Sequence, residues 1–444
     1  MNYAAVKNYL ESLANYEKNL NYSYQGTLKL KRIQDFLELV DNPQDSLRVI
    51  HVAGTKGKGS TCALVAYILR RAGFCVGLYT SPHLNDFRER IRILAPSRKS
   101  RRRIAQDFEG MISKESLTSL VRELKPIVNK YNRSSKTGQL SFFEVYTTLA
   151  FLYFKRRKVD FVVLETGLGG RLDATNAADS LVCGIAPLSF EHVEKLGHIL
   201  AKIAAEKAGI IKQRGAVVIS ASQAKEAQDV IYNQCKKFQA KLYEIGKQIK
   251  YSDSGEGFWI RGFKNKYNNL HLNLLGTHQA ANAALAVGLV EGLSFHGFKV
   301  TADAIRQGLK EALWPGRCEL IQENPLIVLD GAQNAASAQV LSKAIKDNFK
   351  YQRLILVLGV SADKDIPGIC KQLGPLADEV ILTRASSPRA IDPLKLAACF
   401  KRKLYLTQSV KEAKLLAGNL AGKGDLILVT GSLFVVGEFR HVAR

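Results

Sequence analysis

The segment Gly54-Thr-Lys-Gly-Lys-Gly-Ser60 combines glycines, lysines and hydroxyls at a spacing that suits phosphate chemistry. An apolar run precedes it and an amphipathic pattern follows it, which predicts a strand, a loop and a helix. Backbone N–H groups gathered at a helix start, aided by the helix dipole, bind anions. Lys58 adds a mobile cation, and Ser60 or Thr61 could hold a magnesium-bound oxygen. The segment therefore predicts a phosphate site.

This segment departs from the standard nucleotide-binding loop. That pattern places Ser or Thr directly after Gly-Lys, whereas Gly59 follows Lys58 here. The first glycine of the pattern would fall at Val52. A tight turn between strand and helix, without any nucleotide, is the alternative interpretation.

Glu165 ends a predicted buried strand over residues 160–165 and is followed by a glycine-rich stretch. Ligands of open parallel sheets bind at the carboxyl edge of the strands, and a carboxylate there suits magnesium. A capping or salt-bridged glutamate is the alternative.

Five further residues are candidates only when taken together. His192 follows a predicted strand, and Lys207 lies on a predicted helix, where it would ordinarily be solvated surface. Asn282 could recognise a base edge or simply cap a helix. Arg317 lies at a predicted hinge, where a cation could meet a phosphate. Asp330 ends a strand, a typical place for a ribose-binding carboxylate.

Composition limits the functions open to the chain. Its 444 residues exceed what one core usually supports, so two domains are expected. The net charge of +24 favours anionic partners. Seven scattered cysteines without metal-ligand spacing predict reduced core thiols. The start of the chain lacks a signal peptide's apolar core and no long apolar run follows, which predicts a cytoplasmic protein.

Strands and helices alternate on both sides of Trp314-Pro-Gly-Arg317. This alternation predicts an α/β fold: a parallel-sheet ATPase domain with a P-loop over 1–313, then a smaller Rossmann-like α/β domain over 314–444. Residues 241–275 are predicted to form a small antiparallel sheet.

Several ordered motifs together resemble the folylpolyglutamate synthase/dihydrofolate synthase family of Mur ligases. In chain order they are Val52–Ser60, Thr80–Leu84, Glu89–Ile91, Ser141–Glu144, Leu164–Asn176, Glu206–Ile210, His278–Asn282, Trp314–Arg317 and Leu329–Ala332. The resemblance runs through nearly the whole chain.

The resemblance implies an ATP-dependent ligase that uses Mg²⁺ and joins L-glutamate to dihydropteroate and/or (tetrahydro)folate through an acyl phosphate. It implies ATP contacts at Thr55, Lys56, Gly57, Lys58, Gly59, Ser60, Asn282, Arg317 and Asp330. It implies magnesium ligands at Ser81, Glu165 and His192. It implies substrate contacts at Ser141, Phe142, Phe143, Glu144, Leu172, Asp173, Ala174, Gln333 and Ser432.

Four of these residues carry the chemistry in this interpretation: Lys58, His192, Lys207 and Arg317. Lys207 matches a lysine that the family carbamylates with CO₂, so that its new carboxylate helps to hold a metal. The family also implies a monomer that binds small-molecule substrates but neither nucleic acid nor a membrane.

Three features depart from the family pattern. Gln333 replaces a histidine and so keeps hydrogen bonding without the possible charge. Lys56 replaces a common asparagine. The basic stretch 96–108 is an insertion that is interpreted as a solvated loop, because it lacks the interleaved aromatics of a nucleic-acid surface.

Two alternatives remain at this point. One is a Mur ligase that acts on a UDP-sugar, which the Thr80–Leu84 loop and the lack of a separate UDP-binding domain disfavour. The other is a basic P-loop protein that binds nucleic acid or acts as a switch.

Overall fold

The computed structural model describes residues 1–17, 24–97, 108–190, 199–252, 258–400 and 404–441. The strands are β1 Val49–Ala53, β2 Val76–Tyr79, β3 Ile91–Leu94, β4 Phe161–Glu165, β5 Ser180–Ile185, β6 Val217–Ser220, β7 Lys241–Glu244, β8 Lys250–Ser252, β9 Phe258–Arg261, β10 Lys266–Leu270, β11 Glu319–Glu323, β12 Leu326–Leu329, β13 Leu354–Leu358, β14 Glu379–Leu382, β15 Leu404–Leu406 and β16 Leu426–Thr430.

The helices of the described residues lie between these strands in the chain. They are α1 Tyr3–Ser12, α2 Tyr24–Thr27, α3 Leu30–Glu38, α4 Lys58–Arg71, α5 Lys114–Ser134, α6 Phe142–Arg156, α7 Leu200–Ala208, α8 Lys225–Lys237, α9 His278–Gly292, α10 Ala302–Glu311, α11 Ala335–Asn348, α12 Ile366–Leu373, α13 Pro393–Ala397, α14 Val410–Leu420 and α15 Leu433–His441.

The first sheet has seven strands in the order β3-β2-β4-β1-β5-β6-β7, and only its edge strand β3 runs antiparallel to its neighbour. Strands β1 and β4 are buried along their whole length, because helices cover both faces of a parallel sheet. Val52 pairs with Glu165 across β1 and β4. The carboxyl end of β4 therefore lies beside the glycine loop that follows β1.

The second large sheet has six strands in the order β11-β12-β16-β13-β14-β15, with only β11 antiparallel. These two sheets confirm the predicted α/β class. The last helix before the six-stranded sheet, α10, ends at Glu311, and the first strand of that sheet, β11, begins at Glu319. The domain boundary at residue 314 remains a prediction.

Three expectations were wrong or incomplete. Strand β7 belongs to the seven-stranded sheet, where it pairs in parallel with β6, and only β8 to β10 form the small antiparallel sheet. Alternating hydrophobicity looks the same in an edge strand of either sheet. The pattern also missed the edge strands β3, β11 and β15 and the last three helices, α13 to α15. Cys75 is half-buried and Cys399 exposed, so only five of the seven thiols are core residues.

Among the described residues, no helix is both long and apolar enough to cross a membrane.

Candidate active site

The glycine loop needs its glycines for two different neighbours. Gly57 caps α4 with φ of 81°, and a Cβ there would lie 2.3 Å from Oδ1 of Asn282. A Cβ on Gly59 would lie 2.8 Å from the Trp314 ring. The missing Ser or Thr after Lys58 is thereby explained: any side chain at that position would collide with the indole.

The segment after β5 holds the same loop in place. The backbone N–H groups of Thr55 and Lys56 both donate to the carbonyl of Pro187, at 3.1 and 3.3 Å. Thr55 is buried, whereas Lys56 is exposed. Lys58 is half-buried, and its Nζ lies 3.5 Å from the Thr55 carbonyl oxygen, at the limit of hydrogen bonding. Among the described residues, neither ammonium group has a strong acceptor near the loop.

Glu165 is buried at the carboxyl end of β4, and its Oε2 accepts a 3.0 Å hydrogen bond from the backbone N–H of Ser81. Burial raises the pKa of the Glu165 carboxyl, whereas Lys58, that hydrogen bond and Arg317 act in the opposite direction. Two cations, Lys58 and Arg317, therefore favour the charged form of this buried carboxylate. The structure brings together Ser81, Glu165, Lys58 and Arg317, as the motifs predict.

Lys207 contradicts the expectation of a solvated surface lysine. It is 3% exposed, and its Nζ donates to the Gly54 carbonyl at 2.7 Å. The close packing relies on two glycines, because a Cβ on Gly170 would lie 2.7 Å from the Glu206 carbonyl oxygen and one on Gly209 would lie 2.4 Å from Arg171. Lys207 thus reaches the back of the phosphate loop.

The remaining ATP candidates lie close to these residues but make protein contacts. Asn282 is 3% exposed, and its Nδ2 donates to Gln279 Oε1 at 2.8 Å. The Asp330 carboxylate accepts backbone N–H groups of Cys318 and Ala332, both at 2.8 Å. Burial raises the Asp330 pKa and Arg317 lowers it. Asp330 thus shapes the turn that presents Arg317, and its contact with ATP remains a prediction.

Ser141 and Glu144, which are predicted to contact the substrate, form the start of helix α6. The Ser141 backbone N–H donates to Glu144 Oε2 at 2.7 Å, and the Glu144 N–H donates to Ser141 Oγ at 3.3 Å, which is a capping box at the start of α6. Arg32, a residue without a signal in the motifs, forms a bidentate ion pair with Glu144 at 2.8 and 2.9 Å. All three side chains are buried.

The two phenylalanines of this motif differ in exposure. Phe142 is buried and stacks on Tyr146 with ring centroids 5.2 Å apart. Phe143 is half-buried, and a Cβ on Gly167 would lie 2.6 Å from its ring. Phe143 is thus the more exposed of the two rings, and its contact with a substrate remains a prediction.

Among Leu172, Asp173 and Ala174, the aspartate is 3% exposed. Its carboxylate accepts hydrogen bonds from the N–H groups of Gly167, Leu168 and Thr175 and from the Thr175 hydroxyl. Asp173 therefore organises the loop, and a direct substrate contact by its side chain remains a prediction. Leu172 is half-buried and Ala174 buried.

Gln333 and Ser432 follow β12 and β16 at the carboxyl edge of the second sheet. Gln333 is half-buried, and its backbone N–H donates to Ser337 Oγ at 3.2 Å. Ser432 is buried and accepts the Phe434 N–H at 3.1 Å. Their roles remain predictions.

His192 and the core of the basic insertion, 98–107, lie outside the described residues. Within the described ranges, no group of three His, Cys, Asp or Glu side chains forms a metal cage. The sequence motifs also gave no sign that Trp314 packs against Gly59 of the loop, or that His51 and Thr175 form a buried hydrogen-bonded pair. Their partners are distant in sequence, so no local pattern marks them.

Two family models match the chain: the Mur ligase middle domain over 114–290 and the Mur ligase glutamate ligase domain over 316–433. With the fold and the site described above, these matches define a Mur ligase.

Individual relatives narrow the class. Dihydrofolate synthase/folylpolyglutamate synthase of Bacillus subtilis (strain 168) is 34% identical over 421 residues, which cover 93% of this chain and 94% of the relative. Mycobacterium tuberculosis folylpolyglutamate synthase complexed with ADP superposes with a TM-score of 0.85 at 30% identity, covering 99% of this chain and 98% of that chain. The structure of E. coli FolC in complex with DHPP and ADP superposes with a TM-score of 0.83 at 28% identity, covering 100% of this chain and 99% of that chain. The chain belongs to the folylpolyglutamate synthase/dihydrofolate synthase family.

Proposed function

We propose that this chain is an ATP-dependent ligase that joins L-glutamate to dihydropteroate, to (tetrahydro)folate, or to both. The observation that carries the proposal is the buried Glu165 carboxylate beside the glycine loop, whose charged form both Lys58 and Arg317 favour. Relatives that match nearly the whole chain are named for this activity, and two solved relatives hold ADP.

The reaction follows from the chemistry of the acceptor. A carboxylate is a poor electrophile, so the terminal phosphoryl group of ATP is first transferred to the acceptor carboxylate, giving an acyl phosphate and ADP. The amine of L-glutamate then attacks the acyl carbon, an amide forms, and phosphate leaves while the amine loses a proton. Negative charge develops on phosphoryl oxygens, where the Lys58 and Arg317 cations would stabilise it. Holding the reactants together supplies the proximity contribution.

The residues present suit magnesium. Mg²⁺ at phosphate sites uses one or two carboxylates together with phosphate oxygens and water, and Ser81 and Glu165 offer a hydroxyl and a carboxylate beside the loop. When bound, the ion would neutralise phosphate charge. His192 remains a predicted third ligand.

Carbamylation of Lys207 is a further part of the proposal. Its buried amine contacts the Gly54 carbonyl at 2.7 Å, so a carbamate there would face the phosphate loop. We expect turnover to fall in CO₂-free buffer and to recover with added bicarbonate. Equal turnover in both buffers would argue against a carbamate.

The test is glutamate-dependent ADP release by the purified protein with Mg²⁺ and ATP, comparing 7,8-dihydropteroate with tetrahydrofolate. Turnover with both acceptors would mean a bifunctional enzyme, and turnover with one would assign the branch. Lys58→Gln removes a lysine charge at the site, and its matched control is Lys225→Gln, which removes one at an exposed helix position. Silence with both acceptors from folded protein that binds ATP would overturn the proposal.

A monomeric state, a cytoplasmic location and the absence of nucleic-acid or membrane partners also remain proposals. Light scattering of the purified protein tests the first of these.

A further inference from the structure

We propose that His51 and Thr175 are positioning residues that lock segment 166–173 onto strand β1, directly before the phosphate loop. The effect on turnover rests on the proposed function, whereas the effect on the loop itself does not. Neither residue would touch a substrate, because both are fully buried.

The first step is the closure of the loop on itself. Asp173 Oδ2 accepts the N–H groups of Gly167 and Leu168 at 3.0 and 2.9 Å, and its Oδ1 accepts the Thr175 N–H at 3.0 Å. One buried carboxylate thus joins the beginning and the end of the segment that follows β4.

The second step connects this loop to β1. Thr175 Oγ1 lies 2.5 Å from Asp173 Oδ1 and 2.8 Å from His51 Nε2. An ionised carboxylate can only accept, so the hydroxyl donates its single proton to Asp173 and accepts from the Nε2–H of His51. Burial lowers the pKa of His51 to about 3, which keeps its imidazole neutral.

This arrangement leaves a cost in the core. The other ring nitrogen, His51 Nδ1, is buried without a hydrogen-bond partner among the described residues. Leaving a buried polar atom unpaired costs stability, so an apolar side chain would make the folded state more stable. A residue that costs stability while holding a loop beside an active site is more readily explained by function.

The consequence follows from the path of β1. Three residues after His51 the chain reaches Gly54, whose carbonyl holds the Lys207 amine. The same strand therefore fixes the phosphate loop and, through Thr175, the segment that carries Leu172 and Asp173. Because a misplacement of about 1 Å can reduce turnover about 100-fold, such a connection would set the distance between acceptor and ATP.

Amide hydrogen exchange over residues 166–176 tests the connection without requiring activity. Exchange in His51→Leu and Thr175→Val should be faster than in the wild type, whereas Thr175→Ser, which keeps the hydroxyl, should match it. Thr148→Val is the control, because it removes a buried hydroxyl that donates within α6 to the Glu144 carbonyl and has no other partner among the described residues. Unchanged amide exchange in both His51→Leu and Thr175→Val would overturn the proposal.

Turnover and thermal unfolding complete the test. We expect kcat of His51→Leu to fall about 10- to 100-fold while its melting temperature is unchanged or higher and its ATP affinity is kept. Parallel loss of stability and turnover would indicate a purely structural role and contradict the proposal. If Thr175→Val fails to fold, His51→Leu carries the test, since it places an apolar side chain of similar size in the core. If the wild type releases no ADP with either acceptor, the proposed function is overturned. The exchange rates over residues 166–176 would still test whether His51 and Thr175 hold the loop.

Discussion

At the phosphate loop, Lys56 is exposed and Lys58 is half-buried, with its Nζ 3.5 Å from the Thr55 carbonyl oxygen. In the segments predicted to contact the substrate, by contrast, Glu144 and Asp173 are buried and their carboxylates accept hydrogen bonds from protein donors. Both regions carry motif residues of the same family. In the first region the described residues offer these cations no short acceptor, and in the second the buried charges are bonded to the protein itself. We call the buried, protein-bonded residues Arg32, Glu144 and Asp173 the wall residues. A motif residue can therefore matter either because it contacts the substrate or because it positions the residues that contact the substrate.

The largest effect is expected where a wall charge loses its partner. Arg32→Met would leave Glu144 charged and buried, which typically costs about 3–5 kcal/mol of unfolding free energy. The double variant Arg32→Met/Glu144→Gln should recover much of this loss, because glutamine is neutral and can still complete the capping box. Urea unfolding measures both. A loss below about 1 kcal/mol for the single variant would show that this pair is not a wall element.

At the phosphate loop the opposite balance is expected. Lys58→Gln should reduce kcat about 10²- to 10³-fold, because a cation facing phosphoryl oxygens is lost, with a change in unfolding free energy within about 0.5 kcal/mol. Steady-state ADP release and urea unfolding measure the two quantities, with Lys225→Gln as the control. A variant that loses stability but keeps its turnover would place Lys58 among the wall residues.

A third test addresses the packing of the phosphate loop against Trp314. Gly59→Ser restores the usual residue after Lys58 but forces a side chain against Trp314, and we expect a loss of about 1–3 kcal/mol in stability together with weaker ATP binding. Trp314→Leu in the same chain should relieve the collision. If Gly59→Ser alone binds ATP as well as the wild type, the indole is not what excludes a side chain there.

The smallest effect is expected in the pH dependence of stability. Because burial raises the pKa of Glu165 above its unfolded value of about 4.3, the folded state holds this proton more tightly. Stability therefore falls as the pH rises from that value through the raised pKa. Glu165→Gln should lack this decline and melt at a higher temperature than the wild type at pH 8, while ADP release is lost. A lower melting temperature at pH 8 would instead make Glu165 a wall residue like Glu144.

Local patterns predict a helix over residues 200–208 and strands over 326–329 and 354–358, and the structure has α7, β12 and β13 with these bounds. Buried parallel strands form short apolar runs and helices repeat every 3.6 residues, so each is written into neighbouring positions. The glycine loop before α4 and Glu165 at a strand end were found in the same way. The fold class and the identity of most site motifs were thus readable from the chain.

Tertiary structure alone decided what the polar residues of those motifs contact. Arg32 and Glu144 are 112 positions apart, His51 and Thr175 are 124 apart, and Lys207 lies 153 positions from Gly54. Hydrogen bonds within a helix or turn join near neighbours, so sequence spacing encodes them, but a buried charge is satisfied by whichever donor the fold brings to it. For that reason the sequence determined which residues gather at the site, and only the folded chain decided which of them face the ligand.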